Sequence, residues 1–215
     1  MSFMKNHSVP VFLFGTSEAG TSLSGVTAGC PNSVCSGYEL TADIDLLAAG
    51  YSPWTPVGSD SEYFTAVFEG NGHRISNLNI ESSSNAAGLF AVLYGATVRN
   101  LTLDGELSVD GAIYVGALAG STGNDTLVDT VAVTGSVSGS GYVGGVIGAG
   151  MNTRIRDSYV LGNVTGGGFV GGLVGSGTDV TIDTSFSHAD VTGTASVGGL
   201  LGEALDGTNS ITDSY

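Results

Sequence analysis

Apolar residues recur along this chain in short alternating runs, and the runs themselves recur. Six segments open on a β-branched aliphatic residue: ISNLNI from Ile75, VRNLTL from Val98, VDTVAV from Val128, IRDSYV from Ile155, IDTSFS from Ile182 and ITDSY from Ile211. After a short first interval, from Ile75 to Val98, these starts keep a nearly constant spacing. A glycine-rich heptad supplies a second ruler, in YVGALAG at 114–120, YVGGVIG at 142–148, FVGGLVG at 169–175 and SVGGLLG at 196–202. Its second glycine and the equivalent residues, Gly88, Ala117, Gly145, Gly172 and Gly199, keep the same spacing. No stretch within this period has helical spacing. Runs such as VAVTGSV at 131–137 alternate with period two and are punctuated by glycine. A unit this short cannot bury its apolar side alone, whereas stacked units can. The pattern predicts an all-β chain folded as a right-handed parallel β-helix (β-solenoid), with three short strands in each coil of about 27 residues.

Aligned columns support the stacking. The leading column holds Ile75, Val98, Val128, Ile155, Ile182 and Ile211, and two residues on stand Asn77, Asn100, Thr130, Asp157, Thr184 and Asp213. A polar file beside an apolar one suits a corner, where such side chains hold turn backbone. Leu107, Val137, Val164 and Val191 form a second apolar file, followed by the outward-facing Ser108, Ser138, Thr165 and Thr192. In the heptads, the glycine pairs Gly144–Gly145, Gly171–Gly172 and Gly198–Gly199 are expected where backbone bends or coils come close. Val146, Leu173, Leu200 and Leu118 are expected in the core. A phosphate cradle is the sharp alternative and is disfavoured, because no helix signal follows and neither GK[ST] nor GxGxxG is present.

Three regions are expected. Residues 1–29 are a Ser-, Gly- and Thr-rich lead-in, disordered or a remnant of upstream sequence. Residues 30–74 hold an N-terminal cap and the first coils, in which Leu40, Ala42, Ile44 and Leu46 mark a period-two strand and Trp54 covers the open end of the core. Residues 75–215 hold the repeats. Tyr215 aligns with Tyr159 and Phe186, midway through a coil, so the last repeat reads as truncated and the chain as a fragment of a longer protein.

Charge narrows the partners. Five basic residues (Lys5, Arg74, Arg99, Arg154 and Arg156) face 20 acidic ones, a net charge of −15. That field opposes nucleic acid and anionic lipid, and no run approaches the ~20 apolar residues of a membrane helix. Cys30 and Cys35 lie five apart in GCPNSVCSGY, with no histidine close by to complete a zinc site. The spacing suits a small-loop disulfide and an oxidising compartment, two free thiols being the alternative.

The order YEL-ADIDL, WTPVG, F-AVFEGNGHRISNL, GLF and then repeated VGGLVG, over residues 30–215, resembles bacterial proteins carrying the GLUG motif. The first copy, GLFAVLYG, departs from the pattern in having Ala91 where later copies have glycine. The resemblance implies a β-solenoid on secreted or surface-anchored, adhesin-like proteins outside the bacterial cell. Its partner would be carbohydrate or protein on a host, matrix or sibling-cell surface. The motif also occurs in some immunoglobulin A peptidases, outside the protease machinery, so no protease role carries over.

The chemical candidates are sparse. His73 in GNGH is the most site-like histidine, although it also reads as a turn residue, and His188 falls on a repeat. Asp43 with Asp45, or Asp183 with Asp190, offer carboxylate pairs for a glycosidase, the alternative function considered. A lyase for acidic sugars needs more basic residues than this chain has. Arg154 and Arg156 read as exposed corner arginines. No cofactor is expected. Calcium is the candidate ion, through TGNDT at 122–126 and the turn residues Asp104, Asp110, Asp129 and Asp157, although no EF-hand or GGxGxD loop is present. The expected function is a non-catalytic extracellular stalk or adhesive surface.

Overall fold

The computed structural model describes residues 37–80, 85–109 and 112–215. The Cys30–Cys35 pair, the 1–29 lead-in and Asp110 lie outside the described residues, as do the side chains of Leu107 and Ser108.

Every described strand pairing is parallel, and no helix occurs among the described residues. The chain is a parallel β-solenoid of about six turns. A regular coil contains three strands, for example Tyr142–Gly144, Ile147–Arg156 and Tyr159–Gly166, and the next coil repeats them as Val170–Gly171, Val174–Asp183 and Phe186–Gly193. The short first strands stack into a five-stranded sheet, and the longer ones into a second, larger sheet. Alternation decides the facing. In Tyr159–Gly166, Val160 and Val164 point inward and are fully buried, while Leu161, Asn163 and Thr165 point outward.

Val98, Val128, Ile155, Ile182 and Ile211 stand in one register, the first four fully buried. Val137 likewise pairs with Leu107 and Val164, and Val164 with Val191. Ile75 does not belong to the leading column. Phe68 occupies that place, opposite Val98, and Ile75 lies opposite Leu103. The cause is the turn at Asn71 and Gly72, whose φ angles are 53° and 77°. Glu69 pairs with Arg99 before the turn, and Arg74 pairs with Thr102 after it. The stretch from Glu69 to Arg74 is thus longer than its partner stretch from Arg99 to Thr102, which turns on Asn100 alone. The short interval from Ile75 to Val98 therefore joins two different columns.

A second register shift lies in the first heptad copy. Ala87 pairs with Val115, but Phe90 pairs with Ala119. The step from Ala87 to Phe90 is shorter by a single residue than the step from Val115 to Ala119. The shortfall falls at the corner, which places Gly88 against Gly116 rather than Ala117.

At the N-terminal end, Leu40, Ile44 and Leu46 are buried and Ala42 is half-buried. Residues 51–64 lie beneath the first heptad copy through isolated parallel bridges from Trp54 to Ile80, Val57 to Phe90 and Phe64 to Leu93. The buried indole of Trp54 donates to the Leu89 carbonyl at 3.0 Å, so its one polar group is satisfied. Phe64 and Phe68 pack on Phe90 with centroids 4.7 and 5.5 Å away. Aromatic bulk fills the core here, where the coils are least regular.

Candidate functional site

The polar file forms a corner with an unusual backbone. Asn100, Thr130, Asp157, Thr184 and Asp213 have φ angles of 54°, 56°, 50°, 47° and 48°. Asparagine and aspartate visit this left-handed region readily, but β-branched threonine is strained there. Such a turn takes the next amide out of the ladder, and serines receive it. Val131 N–H donates to Ser158 Oγ at 3.0 Å, Ser158 N–H to Ser185 Oγ at 3.1 Å, and Ser185 N–H to Ser214 Oγ at 3.0 Å. Each hydroxyl then donates to the carbonyl two residues back in its own coil, on Arg156, Asp183 and Thr212. Buried Ser158 and Ser185 therefore both accept and donate, the pairing a buried hydroxyl needs.

The glycine pairs turn the opposite corner. A Cβ on Gly144 would lie 2.7 Å from the Gly175 nitrogen and the Leu173 oxygen. On Gly171 it would lie 2.6 Å from the Gly202 nitrogen. Gly145 and Gly172 each lie beneath the carbonyl of the partner one coil on, Gly172 and Gly199 respectively, while Gly199 meets nothing within 4 Å. Gly198 lies against the Leu201 carbonyl. Val146, Leu118 and Leu173 are fully buried, whereas Leu200, in the last copy, is only half-buried against the core. The closing glycines Gly120, Gly148, Gly175 and Gly202 abut the short strand of the coil before, as in Gly148 against Val115 and Gly202 against Val170. Among the described residues Ala91 has no such strand to meet, because Ala86–Ala87 is the terminal strand of that sheet. Its methyl group is accommodated for that reason.

The acidic and basic candidates mostly serve the coil stack. Asp43 accepts from the Arg74 backbone and from His73 Nδ1 at 3.1 Å, and these bonds, the backbone one foremost, lower its carboxyl pKa. Asp45 is lowered chiefly by the Ala48 N–H, then by Asn77. Asp129 is lowered chiefly by Arg156, 2.7 Å away. Burial pushes Glu69 up, but bonds from Asn100, the Asn71 N–H and Arg99 outweigh it and hold the carboxyl below its usual value. Each acid is engaged by its own donors. Asp183 accepts from Thr184 and Thr212, while Asp190 is exposed opposite Asn163 on another strand. His188 is exposed beside Phe186 and Tyr215. TGNDT is a corner, with Asn124 and Asp125 at φ 56° and 61°. Among the described residues no three His, Cys, Asp or Glu side chains converge as metal ligands would.

Two aromatic files run along the surface. Tyr114, Tyr142 and Phe169 stand 5.2 and 4.9 Å apart, tilted. Tyr159, Phe186 and Tyr215 are stacked nearly parallel, 5.1 and 5.4 Å apart. Beside Tyr159, where its file begins, an open groove of about 510 Å³ crosses successive coils.

The repeated glycine corner decides the comparison with known proteins. Residues 139–165 match the family described as the GLUG motif. The chain carries a GLUG motif. Halomucin of Haloquadratum walsbyi is 43% identical over 122 residues, which cover 52% of this chain and 1% of that protein. A proposed Gly-rich membrane protein of Evansella cellulosilytica is 39% identical over 45% of this chain and 12% of its own length. The immunoglobulin A1 protease of Streptococcus sanguinis is 30% identical over 64% of this chain and 7% of its own. The chain thus spans a small part of each relative. Among solved structures, an IgA1 protease superposes with a TM-score of 0.68 at 25% identity, over 84% of this chain and 15% of that one. A proposed immunoglobulin A1 protease from Bacteroides ovatus superposes with a TM-score of 0.60 at 20% identity, over 83% and 68%. The second likeness shows a shared fold.

In the GLUG coils the sequence pattern brought out the glycine corner and the polar corner file, but not the left-handed backbone of the latter. It missed the serine file, because Val131 stands in the same column as Ser158, Ser185 and Ser214 and the column reads as mixed. It also missed the groove, whose walls come from successive coils and so from separate parts of the sequence.

Proposed function

We propose that this chain is a non-catalytic, extracellular β-solenoid segment of a surface or secreted protein, serving as a stalk or adhesive surface. The observation that carries this reading is the continuity of its ladders. The leading column runs from Phe68 to Ile211, and the serine file from Ser158 to Ser214, with no loop among the described residues breaking in to build a catalytic pocket. Halomucin and the immunoglobulin A1 proteases, with which it shares sequence, support a place outside the cell.

The carboxylates speak against the enzyme reading. A glycosidase needs one acid held above its usual pKa, facing another. Asp43, Asp45, Glu69 and Asp129 are all held below theirs, each by its own donors. The test pairs two assays of the purified chain. Coated beads are expected to adhere to bacterial or host cell layers above an albumin control. A screen of neutral and acidic polysaccharides is expected to show no new reducing ends. Depolymerisation, or adhesion no better than albumin, overturns the reading.

A further inference from the structure

The parallel aromatic file has an open face. Tyr159 is in register with Ala132 of the preceding coil and with Phe186 of the following one. Phe186 covers one side of its ring at 5.1 Å, with the planes 5° apart. On the other side the file steps down to Ala132 and Thr102, and a methyl group and a hydroxyl cannot cover a phenol ring. That uncovered face borders the groove of about 510 Å³, which Glu69, Asn100, Thr102, Ala132, Asp157 and Tyr159 help to line. Its volume falls within the roughly 300–1,000 Å³ of small-ligand sites.

The polar groups of the groove fall into two kinds. Glu69 is occupied, accepting from Asn71, Asn100 and Arg99. Among the described residues, no hydrogen bond engages the Thr102 hydroxyl, the Asp157 carboxylate or the Tyr159 hydroxyl. The groove therefore offers one flat aromatic face, ringed by free acceptors and hydroxyls, with no cationic side chain on its lining. An aromatic face carries negative quadrupole charge and attracts weakly polarised C–H groups. A pyranose ring supplies such a C–H face and a rim of hydroxyls that donate and accept. An acidic sugar is disfavoured by Asp157 and by the net charge of −15. The charge of Glu69 is already neutralised by Arg99, which weakens the case for a basic peptide.

We infer that this groove binds a neutral glycan, with one sugar ring stacked on the open face of Tyr159 and its hydroxyls bonded by Thr102 and Asp157. The inference rests on the adhesive reading above and gives it a ligand class and a location. The test titrates the chain with laminarihexaose, cellohexaose and mannohexaose, followed by amide NMR shifts. Trigalacturonate and an Arg/Lys-rich peptide serve as competitors of other classes. At least one neutral hexaose is expected to shift resonances around Ala132 and Tyr159 saturably. Tyr159→Ala and Tyr159→Leu should both weaken it, by about ten-fold for loss of one stacked ring. The leucine variant keeps apolar bulk on Phe186, so an effect shared by both variants is not a folding defect. Tyr142→Ala, in the other aromatic file, should leave affinity unchanged.

The inference is overturned if no neutral hexaose binds, if binding survives both Tyr159 variants, or if trigalacturonate or the peptide occupies the groove more tightly. The bead assay separates the two levels. Beads that adhere equally well with Tyr159→Ala retain the adhesive reading and remove the glycan groove. Saturable Tyr159-dependent hexaose binding without bead adhesion does the reverse.

Discussion

Gly175 and Gly199 offer the same substitution in opposite surroundings. A Cβ on Gly175 would stand 2.6 Å from the Gly148 oxygen, 2.8 Å from the Val143 nitrogen and 3.0 Å from the Val143 carbonyl carbon, all of them backbone atoms. Ordinary carbon contact begins near 3.4 Å, so the two coils must part by about 0.8 Å. The Val143 N–H also donates to the Phe169 carbonyl at 2.9 Å, and parting the coils strains that bond. Overpacking of this kind costs about 1–3 kcal/mol. A Cβ on Gly199 meets nothing within 4 Å, and its φ lies outside the left-handed region. Any Gly→Ala change also restricts the unfolded chain, which stabilises the protein by about 0.4–1 kcal/mol where the native backbone allows it. Gly199→Ala should therefore be neutral to slightly stabilising, and Gly175→Ala should fall below it by about 2 kcal/mol. Urea melts followed by far-UV circular dichroism measure both, and hydrogen exchange should place the extra opening at residues 143–148. Equal midpoints for the two variants would show that the closing glycine is not a contact requirement, and the explanation given for Ala91 would fall with it.

Three further outcomes follow from the corners and ion pairs. Ser185→Ala leaves the buried Ser158 N–H without its acceptor and should cost about 1–3 kcal/mol in urea unfolding, whereas Ser138→Ala, on the outward file, should be nearly silent. Thr130→Asn removes a β-branched residue from a left-handed backbone and should raise the thermal midpoint, by about 1 kcal/mol of stability, with Thr184→Asn behaving alike. Because the Asp129 and Glu69 carboxyls are lowered in the fold, their contribution is complete above the unfolded values near 3.8 and 4.5 and is lost as pH falls through the folded ones. Melts between pH 6 and pH 2 should show stability dropping on the acid side, with a shallower drop in Asp129→Asn.

The legible parts of the molecule were those that repeat. Val98 to Ile182 could be aligned because one burial requirement recurs at each of those coils, and the glycine corner because backbone contact tolerates so few side chains. Ile75 was misplaced because its segment looks like the others, while the Asn71–Gly72 turn ahead of it lengthens the coil in a way that no composition reveals. The serine file was hidden because valine and serine alternate in function there, Val131 supplying only an amide. The groove was invisible for a different reason. It exists through what Tyr159 lacks, a large neighbour at Ala132, and a gap between side chains leaves no motif.

The parallel pairing also fixes how the molecule bears load. Neighbouring strands in such a sheet lie about 4.8 Å apart in the hydrogen-bonding direction, so here the backbone bonds point along the solenoid axis. Tension along that axis passes through every coil interface in series, and each interface that gives way frees one coil. Each opened coil of about 27 residues releases roughly 90 Å of extended chain. A solenoid built this way lengthens in steps and sheds force with each one, while the coils that stay paired keep their shape.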